Sequence, residues 1–263
     1  MIKIYLLLLA GMLTACGSTP PPRPPQAREQ AQLADKDGRR ALKSGELINA
    51  RHNFIKALAT QQSLDDRAGA ATTIINLATL SHQMHDDEAA LNWLDKILLE
   101  KERFYPAETR MNASFRKAVI LTNQARLGEA NAALRTAENI CEAKCSLRFS
   151  MAVLQARWLL LRGNAEAALT QAKALAQERD AGKEEQANAL RIAAAAEEKL
   201  ARYEAALPHY QAAFELDKTL ALAPRIAEDL EGMARTAKHL GQEDDAANYA
   251  RRAELVQESL RQK

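Results

Sequence analysis

The chain has 263 residues, of which 36 are Lys or Arg and 34 are Asp or Glu, so its formal net charge is +2. This near balance provides no clustered basic face, which excludes nucleic acid as an expected partner. Aromatic residues make up only 5% of the chain, and the abundant Ala, Leu, Glu, Gln, Arg and Lys are strong helix formers, which indicates an all-α protein.

The first residues have the pattern of a signal peptide. Lys3 precedes an apolar run, Ile4–Met12, that is too short to cross a bilayer, because a spanning helix needs roughly 20 residues. A short apolar run behind a positive charge is typical of a signal-peptide core. The alternatives are an ordinary secretory signal with a coincidental cysteine, or a short membrane anchor.

Residues 13–16, Leu-Thr-Ala-Cys, resemble the lipobox of bacterial lipoproteins. The resemblance implies that residues 1–15 are cleaved as a lipoprotein signal peptide and that Cys16 is lipidated. Several acyl chains on one residue are enough for stable anchoring. Gly17 follows the cysteine where Asp would resemble an inner-membrane retention signal, so we expect a lipid-anchored protein on the periplasmic face of the outer membrane.

Residues 16–30 are predicted to be the lipidated cysteine and a proline-rich linker. Five prolines between positions 20 and 25 disfavour helix and favour polyproline II. At about 3.1 Å per residue, such a linker could hold the following domain some 30 Å from the membrane.

From residue 27 onward, apolar residues follow a 3.6-residue period that is interrupted every 15 to 20 residues. Six segments align on a small or turn-forming residue that is followed five positions later by alanine. The turn-forming residues are Gly45, His85, Gly128, Gly163, Ala201 and Gly241. The alanines are Ala50, Ala90, Ala133, Ala168, Ala206 and Ala246. Spacings of 35 to 43 residues between the turns predict about six helical hairpins.

Two further positions in each segment are predicted to fill the core. The first set is Phe54, Leu94, Ala137, Ala172, Tyr210 and Ala250, and the second set is Ala57, Ile97, Ile140, Leu175, Ala213 and Ala253. We also expect core packing for Trp93 and Trp158. Asp86, Asp87 and Asn164 are predicted to cap second helices.

This pattern resembles the tetratricopeptide repeat (TPR), a helix-turn-helix unit of 34 residues, and residues 202–217 match it most closely. The resemblance implies a right-handed α-α superhelix, a TPR-like solenoid, over residues 31–263. The departures are the longer spacing, Pro208 inside a predicted helix, and a first-helix signature that only Gly38 fits. A generic α-α solenoid or helical bundle stays open as an alternative.

In the TPR family, first-helix residues line a concave groove that binds partners. The register places eight residues there as exposed candidates for partner binding: Arg39, Thr79, Gln83, Thr122, Arg126, Arg157, Arg191 and Glu198. The arginines suit acidic peptide segments. The alternative is that these are ordinary solvated side chains.

Once Cys16 is lipidated, Cys141 and Cys145 remain as a candidate disulfide in the oxidising periplasm. They stand where the third unit ends and the fourth begins, and a pair that straddles a helix end can reach disulfide geometry. The alternative is a pair of reduced cysteines.

The segment from His82 to Asp87 is the one cluster of histidines and carboxylates in the sequence. His82, His85 and Asp86 could hold zinc, but a turn at His85 followed by helix-capping acids explains the same residues. We favour the second interpretation and expect no metal and no cofactor. The sequence has no recognisable nucleophile elbow, phosphate loop or zinc-protease helix, so we do not expect an enzyme.

The sequence therefore predicts a lipid-anchored periplasmic adaptor or scaffold whose partners are periplasmic or outer-membrane proteins. By architecture it resembles pilus-assembly pilotins, envelope assembly factors and adaptors of peptidoglycan hydrolases. Two alternatives stay open. One is a metal-binding or hydrolytic envelope protein that uses the His82–Asp87 cluster. The other is a structural lipoprotein that forms homo-oligomers through the final helix near residues 248–263.

Overall fold

The computed structural model describes residues 26–100, 104–141 and 145–261. The predicted signal peptide, the lipidation site Cys16 and the prolines of the linker lie outside these residues. The first helix starts at Gln26, which is earlier than the predicted domain boundary at residue 31.

The described residues form twelve α-helices and no strand, so the all-α prediction is confirmed. The helices are α1 (Gln26–Lys43), α2 (Leu47–Ser63), α3 (Arg67–Gln83), α4 (Asp87–Leu98), α5 (Ala107–Asn123), α6 (Leu127–Ile140), α7 (Arg148–Leu161), α8 (Ala165–Ala176), α9 (Lys183–Lys199), α10 (Tyr203–Leu220), α11 (Ala223–His239) and α12 (Glu243–Arg261). None of these helices is both long enough and apolar enough to cross a membrane.

The helices pair into six hairpins that stack in chain order. Each odd-numbered helix packs against the even-numbered helix that follows it, and it also contacts the next odd-numbered helix in the stack. Within the described ranges, no two even-numbered helices contact each other. The odd-numbered helices therefore form the closely spaced inner layer of a curved TPR-like solenoid, and the even-numbered helices form its outer layer.

Each hairpin reverses direction at one residue with positive φ. These residues are Gly45, His85, Ala125, Gly163, Ala201 and Gly241. A single left-handed residue after a helix satisfies its last carbonyls and redirects the chain. The turns recur every 38 to 40 residues, which is a narrower range than the sequence alignment predicts.

The predicted turn of the third hairpin at Gly128 is wrong, because the turn lies at Ala125 and Gly128 lies inside α6. The register of this hairpin therefore shifts by three residues. Ala130 takes the position of the close-packed alanine in place of Ala133, and Leu134 takes the first core position. A left-handed alanine costs roughly 1–2 kcal/mol, which the burial of a leucine offsets.

The predicted caps and core positions are largely confirmed. The carboxylate of Asp86 accepts a hydrogen bond from the Ala89 amide at 3.0 Å, and the Asn164 side chain accepts one from the Ala167 amide at 3.3 Å. Asp87 is instead the first residue of α4. Ala250, a predicted core residue, is exposed because no described helix packs beyond the last hairpin.

Aromatic side chains fill the gaps between helices. Gly38 lets α1 approach Phe54, since a Cβ atom there would lie 2.6 Å from the ring. Trp93 and Trp158 both pack against the core, as predicted, and Trp158 donates a hydrogen bond to the carbonyl of Leu127 at 2.8 Å.

Candidate functional site

Two adjoining cavities lie along the inner layer and form one surface, which we call the inner groove. The larger cavity, about 430 Å³, is lined by residues of α5, α7, α9 and α11. The smaller cavity, about 250 Å³, is lined mainly by residues of α3 and α5. Phe115 and Val119 line both cavities, so the groove is continuous across the middle of the solenoid.

The floor of the inner groove is apolar but accessible to water. Phe115, Val119 and Val153 are only half-buried, and Leu161 retains 46% of its exposure. Apolar side chains that are left open in a concave surface are typical of sites that bind another molecule. The floor therefore offers contact area to a ligand with apolar groups.

Arg116 lies at one end of this floor, on α5. Its guanidinium donates to the amide oxygen of Asn112 at 2.8 Å and to the hydroxyl of Thr79 at 3.0 Å. Both acceptors are neutral, and burial lowers the pKa of Arg116 below its ordinary value. Among the described residues, no carboxylate forms an ion pair with it.

Arg157 lies in the larger cavity, on α7. Burial is the main cause that lowers its pKa; the positive charges of Arg225 and Arg191 add to this effect, whereas Glu228 opposes it. Within the described part of the chain, Arg157 makes no hydrogen bond and no ion pair. The inner groove thus holds two half-buried cations that form no ion pair with a carboxylate among the described residues.

The acidic residues of the larger cavity form no ion pair with Arg157 among the described residues, although the charge of Glu228 acts on it. Glu228 accepts a hydrogen bond from Arg225 at 2.7 Å and lies 3.9 Å from Nε of Arg191. Glu185 accepts one from the hydroxyl of Ser150 at 2.8 Å. Glu184 is exposed in the first turn of α9, where a helix N-terminus favours negative charge.

Arg191 has a different environment from the one predicted for it. It keeps only 6% of its exposure and donates to Asp229 at 2.7 Å and to Asp217, so its predicted exposure is wrong, although it does line the larger cavity of the inner groove. Burial and the neighbouring Asp217 raise the pKa of Asp229 to about 7, although Arg191 opposes the rise. This cluster ties α9 to α10 and α11.

Two more of the predicted groove residues are engaged within the fold. Thr122 keeps 2% of its exposure and donates to the carbonyl of Ala118 at 2.7 Å, so its predicted exposure is also wrong. Glu198 is half-buried and accepts hydrogen bonds from the Tyr210 hydroxyl at 2.8 Å and from Thr236 at 2.9 Å.

The remaining candidates divide between the groove and its surroundings. Thr79 and Arg157 line the inner groove. Arg126 precedes α6 and pairs with Glu129 at 2.7 Å. Arg39 is exposed beside Asp35, and Gln83 is exposed at the end of α3.

Arg116, Phe115 and Val119 line the groove but are not among the residues predicted for it, and the misplaced third turn explains part of the difference. Arg157 and Thr79 each stand six residues before their turn residues, Gly163 and His85. Counting six residues back from the true turn of the third hairpin gives Val119, which lines the groove, whereas counting from Gly128 gives the buried Thr122.

The histidine cluster does not converge on a common point. The Nδ1 atom of His82 lies 2.5 Å from a carboxylate oxygen of Asp87, while Asp86 caps α4 and His85 occupies the turn. Across the described ranges, no three His, Cys, Asp or Glu side chains are grouped so that they could hold a metal ion.

Cys141 and Cys145 are joined as a disulfide with their Cα atoms 5.4 Å apart. Cys141 caps the end of α6, and α7 begins three residues after Cys145. Both residues pack against the core, so the bridge fastens the connection between the third and fourth hairpins.

No protein-family model matches the sequence, and no curated protein matches it. Solved structures are similar in fold. RapI in its apo form has a TM-score of 0.62 and 12% identity over 89% of this chain and 99% of its own. The tetratricopeptide-repeat sensor protein of the STAND ATPase class from Pyrococcus horikoshii has a TM-score of 0.61 and 16% identity over 89% of this chain and 35% of its own. PilF of Pseudomonas aeruginosa has a TM-score of 0.57 and 18% identity over 90% of this chain and 99% of its own. These similarities show that the fold is TPR-like.

Proposed function

We propose that this protein is a lipid-anchored adaptor of the bacterial envelope that binds segments of partner proteins in its inner groove. The observation that carries the proposal is a pair of half-buried arginines, Arg116 and Arg157, that form no ion pair among the described residues and lie beside an open apolar floor. A fold gains nothing from desolvating a cation that it leaves without a counter-charge. Such an arrangement becomes favourable when a ligand supplies the missing anion.

The proposed location rests on the sequence. Residues 13–16 match the lipobox pattern, and the five prolines behind Cys16 suit a spacer between membrane and domain. We propose the periplasmic face of the outer membrane as the site of action. The partners would then be periplasmic or outer-membrane proteins of machinery that builds pili, the outer membrane or the cell wall.

Binding is better supported than the two alternative functions. A metal-dependent activity would need ligands that converge, and His82, His85 and Asp86 point to separate structural roles. Self-assembly through the last helix would need a broad apolar surface, and the large apolar residue that α12 leaves exposed is Leu255.

Photo-crosslinking in living cells tests the proposal. A photoreactive amino acid in place of Val153, in the inner groove, should capture one or a few envelope proteins. The matched control carries it in place of Arg135, which is exposed on the outer helix α6. Equal capture at both positions would contradict the groove assignment.

The anchor is tested separately. Cys16→Ser should move the protein from the membrane fraction to the soluble periplasmic fraction, and mass spectrometry of the wild-type N-terminal peptide should show an acylated cysteine. An unmodified Cys16 in membrane-associated protein would contradict the proposed anchor.

A further inference from the structure

The outer helix α2 carries apolar side chains on the face that points away from the core. Ile48 keeps 82% of its exposure and Ile55 keeps 44%. They stand seven residues apart, so they lie on one face of the helix, together with the exposed His52 and Ala59. We call these four residues the α2 stripe. The buried residues of α2, among them Phe54, lie on the other face.

A comparison of the six hairpins shows that this face is unusual. Two positions before its close-packed alanine, α2 has Ile48, whereas the other outer helices have Glu88, Gly128, Glu166, Glu204 and Asp244. Five positions after that alanine, α2 has Ile55, whereas the other outer helices have Asp95, Arg135, Lys173, Gln211 and Arg251. The fold is therefore built five times without an apolar side chain at either position, so the two isoleucines are not required for folding.

The charges of α2 are unusual as well. Among the outer helices of the described ranges, α2 alone contains no acidic residue. Its basic residues, Arg51 and Lys56, are exposed and form no hydrogen bond or ion pair within the described part of the chain. A helix turns by about 100° per residue, so these two cations lie on opposite flanks of the α2 stripe. Glu46, which precedes the helix, accepts hydrogen bonds from Ser44 and Asn49.

Apolar side chains between cations fit the surface of a membrane that contains anionic lipids. At such a surface, apolar side chains enter the boundary of the acyl chains, while Lys and Arg reach the charged headgroups. The shape of the solenoid agrees with this occupant. A peptide segment is bound by the concave face of a solenoid, whereas α2 belongs to the outer, convex layer and presents its stripe to a broad surface.

The place of α2 in the chain favours the same occupant. Helix α1 begins at Gln26, ten residues after Cys16, and α2 packs against α1. An extended chain spans at most about 3.6 Å per residue, so the first hairpin begins within roughly 36 Å of a lipid on Cys16. A surface that is held so close to the membrane has a high effective concentration, and weak affinity is enough for it to dock.

We propose that the α2 stripe docks onto the membrane that holds the lipid anchor, with Ile48 and Ile55 in the acyl-chain boundary and with Arg51 and Lys56 on anionic headgroups. This inference rests on the proposed function in taking Cys16 as lipidated. Docking through the outer layer leaves the inner groove, which the odd-numbered helices form, turned away from the membrane and open to partner proteins.

Fluorescence of the full, lipidated chain in vesicles tests the proposal. An environment-sensitive fluorophore is attached through His52→Cys, which keeps both isoleucines, or through Thr170→Cys, the matched exposed position on α8. The vesicles contain equal parts of phosphatidylglycerol and phosphatidylcholine. The fluorophore at position 52 should emit at a shorter wavelength and be quenched by a lipid-borne quencher, whereas the fluorophore at position 170 should stay in water. Emission from water at both positions would overturn the proposal.

Variants of the apolar residues show whether the stripe itself docks. In the His52→Cys background, the double variant Ile48→Gln and Ile55→Gln should lower the ratio of docked to undocked protein at least about tenfold, because less apolar surface then leaves water. Leu255→Gln, at an exposed apolar residue of α12, should leave the ratio unchanged. The proposal is wrong if the isoleucine variant docks like the wild type, or if Leu255→Gln has the same effect as the isoleucine variant.

Variants of the charged residues test the preference for anionic lipid. Arg51→Gln and Lys56→Gln should each lower the docked ratio about fivefold, since a cation near an anionic surface contributes about that factor. In vesicles of phosphatidylcholine alone, the wild type should dock as weakly as the variant that lacks both cations. Equal docking to the two kinds of vesicle would contradict the assignment of the cations to anionic headgroups.

Two other occupants of the stripe give different results. A protein partner would leave the fluorophore at position 52 in water in protein-free vesicles and would shift its emission only in native envelope membranes. A second copy of this chain would shift the emission as the density of the protein in the vesicles rises, whatever the lipid. Either result would overturn the proposal.

Mass spectrometry of the same samples separates this inference from the proposed function. If Cys16 is acylated and the fluorophore at position 52 is in water, the anchor stands and the docking is wrong. If Cys16 is unmodified, the anchor is wrong and the docking that depends on it is wrong too. Capture of partners at Val153 is measured independently, so the binding role of the inner groove can stand or fail without the docking.

Discussion

The contact between α9 and α11 and the groove-facing side of α5 and α7 use arginine in opposite ways. At the first, Arg191 is buried and its charge is compensated by Asp217 and Asp229. At the second, Arg116 and Arg157 are half-buried and form no ion pair with a carboxylate among the described residues. Because a buried charge is costly unless it is paired, the first arginine is bound into the fold and the other two remain available to a ligand.

The largest effect is expected at the compensated arginine. Arg191→Met should lower the free energy of unfolding at pH 8 by about 3–5 kcal/mol, because it leaves two buried carboxylates without their cation. Urea denaturation measures the change. Arg162→Met, an exposed position at the end of α7, should stay within about 0.5 kcal/mol of the wild type. A loss below about 1 kcal/mol for Arg191→Met would remove the contrast between the two contacts.

A smaller effect is expected in the dependence of the free energy of unfolding on pH. The folded-state pKa of Asp229 is raised to about 7 from 3.8, so its protonation stabilises the folded state at low pH, and this contribution is lost as pH rises through 7. The free energy of unfolding should fall by about 1–1.5 kcal/mol between pH 6 and pH 8. Asp229→Asn should abolish this slope. A slope that survives in the variant would place the titrating group elsewhere.

The smallest effect, with the opposite sign, is expected at the uncompensated arginine. Arg157→Met should leave stability unchanged or raise it by up to about 1 kcal/mol, because it removes a desolvated charge and keeps the apolar stem. Urea denaturation of the variant and of the wild type measures the change in the free energy of unfolding. A clear loss of stability would show that Arg157 is a structural residue like Arg191.

Much of the architecture can be predicted from local pattern. Hairpin turns marked by glycine, such as Gly163, and caps such as Asn164 depend on residues close in sequence, and the structure has them where the pattern predicts them. The third turn fails because Gly128 is a stronger local signal than Ala125. The choice between them is made by the burial of Ala130 and Leu134, which depends on neighbouring hairpins.

The charge environment of the groove is harder to predict, because it depends on residues that are far apart in the sequence. Arg157 and Arg191 look alike in sequence, and both follow the helical register of the inner layer. Asp217 and Asp229, which lie 26 and 38 residues beyond Arg191, compensate only one of them. Local periodicity places a side chain on a helix face but does not show which charges will meet across helices.

The most direct test of this account is the yield of the Val153 crosslink in cells, compared between the wild-type background and Arg157→Glu. The account predicts that charge reversal abolishes the crosslinked species while the melting temperature of the purified variant stays close to that of the wild type. An unchanged crosslink to the same partners would contradict the claim that the inner groove binds acidic partner segments through its uncompensated arginines.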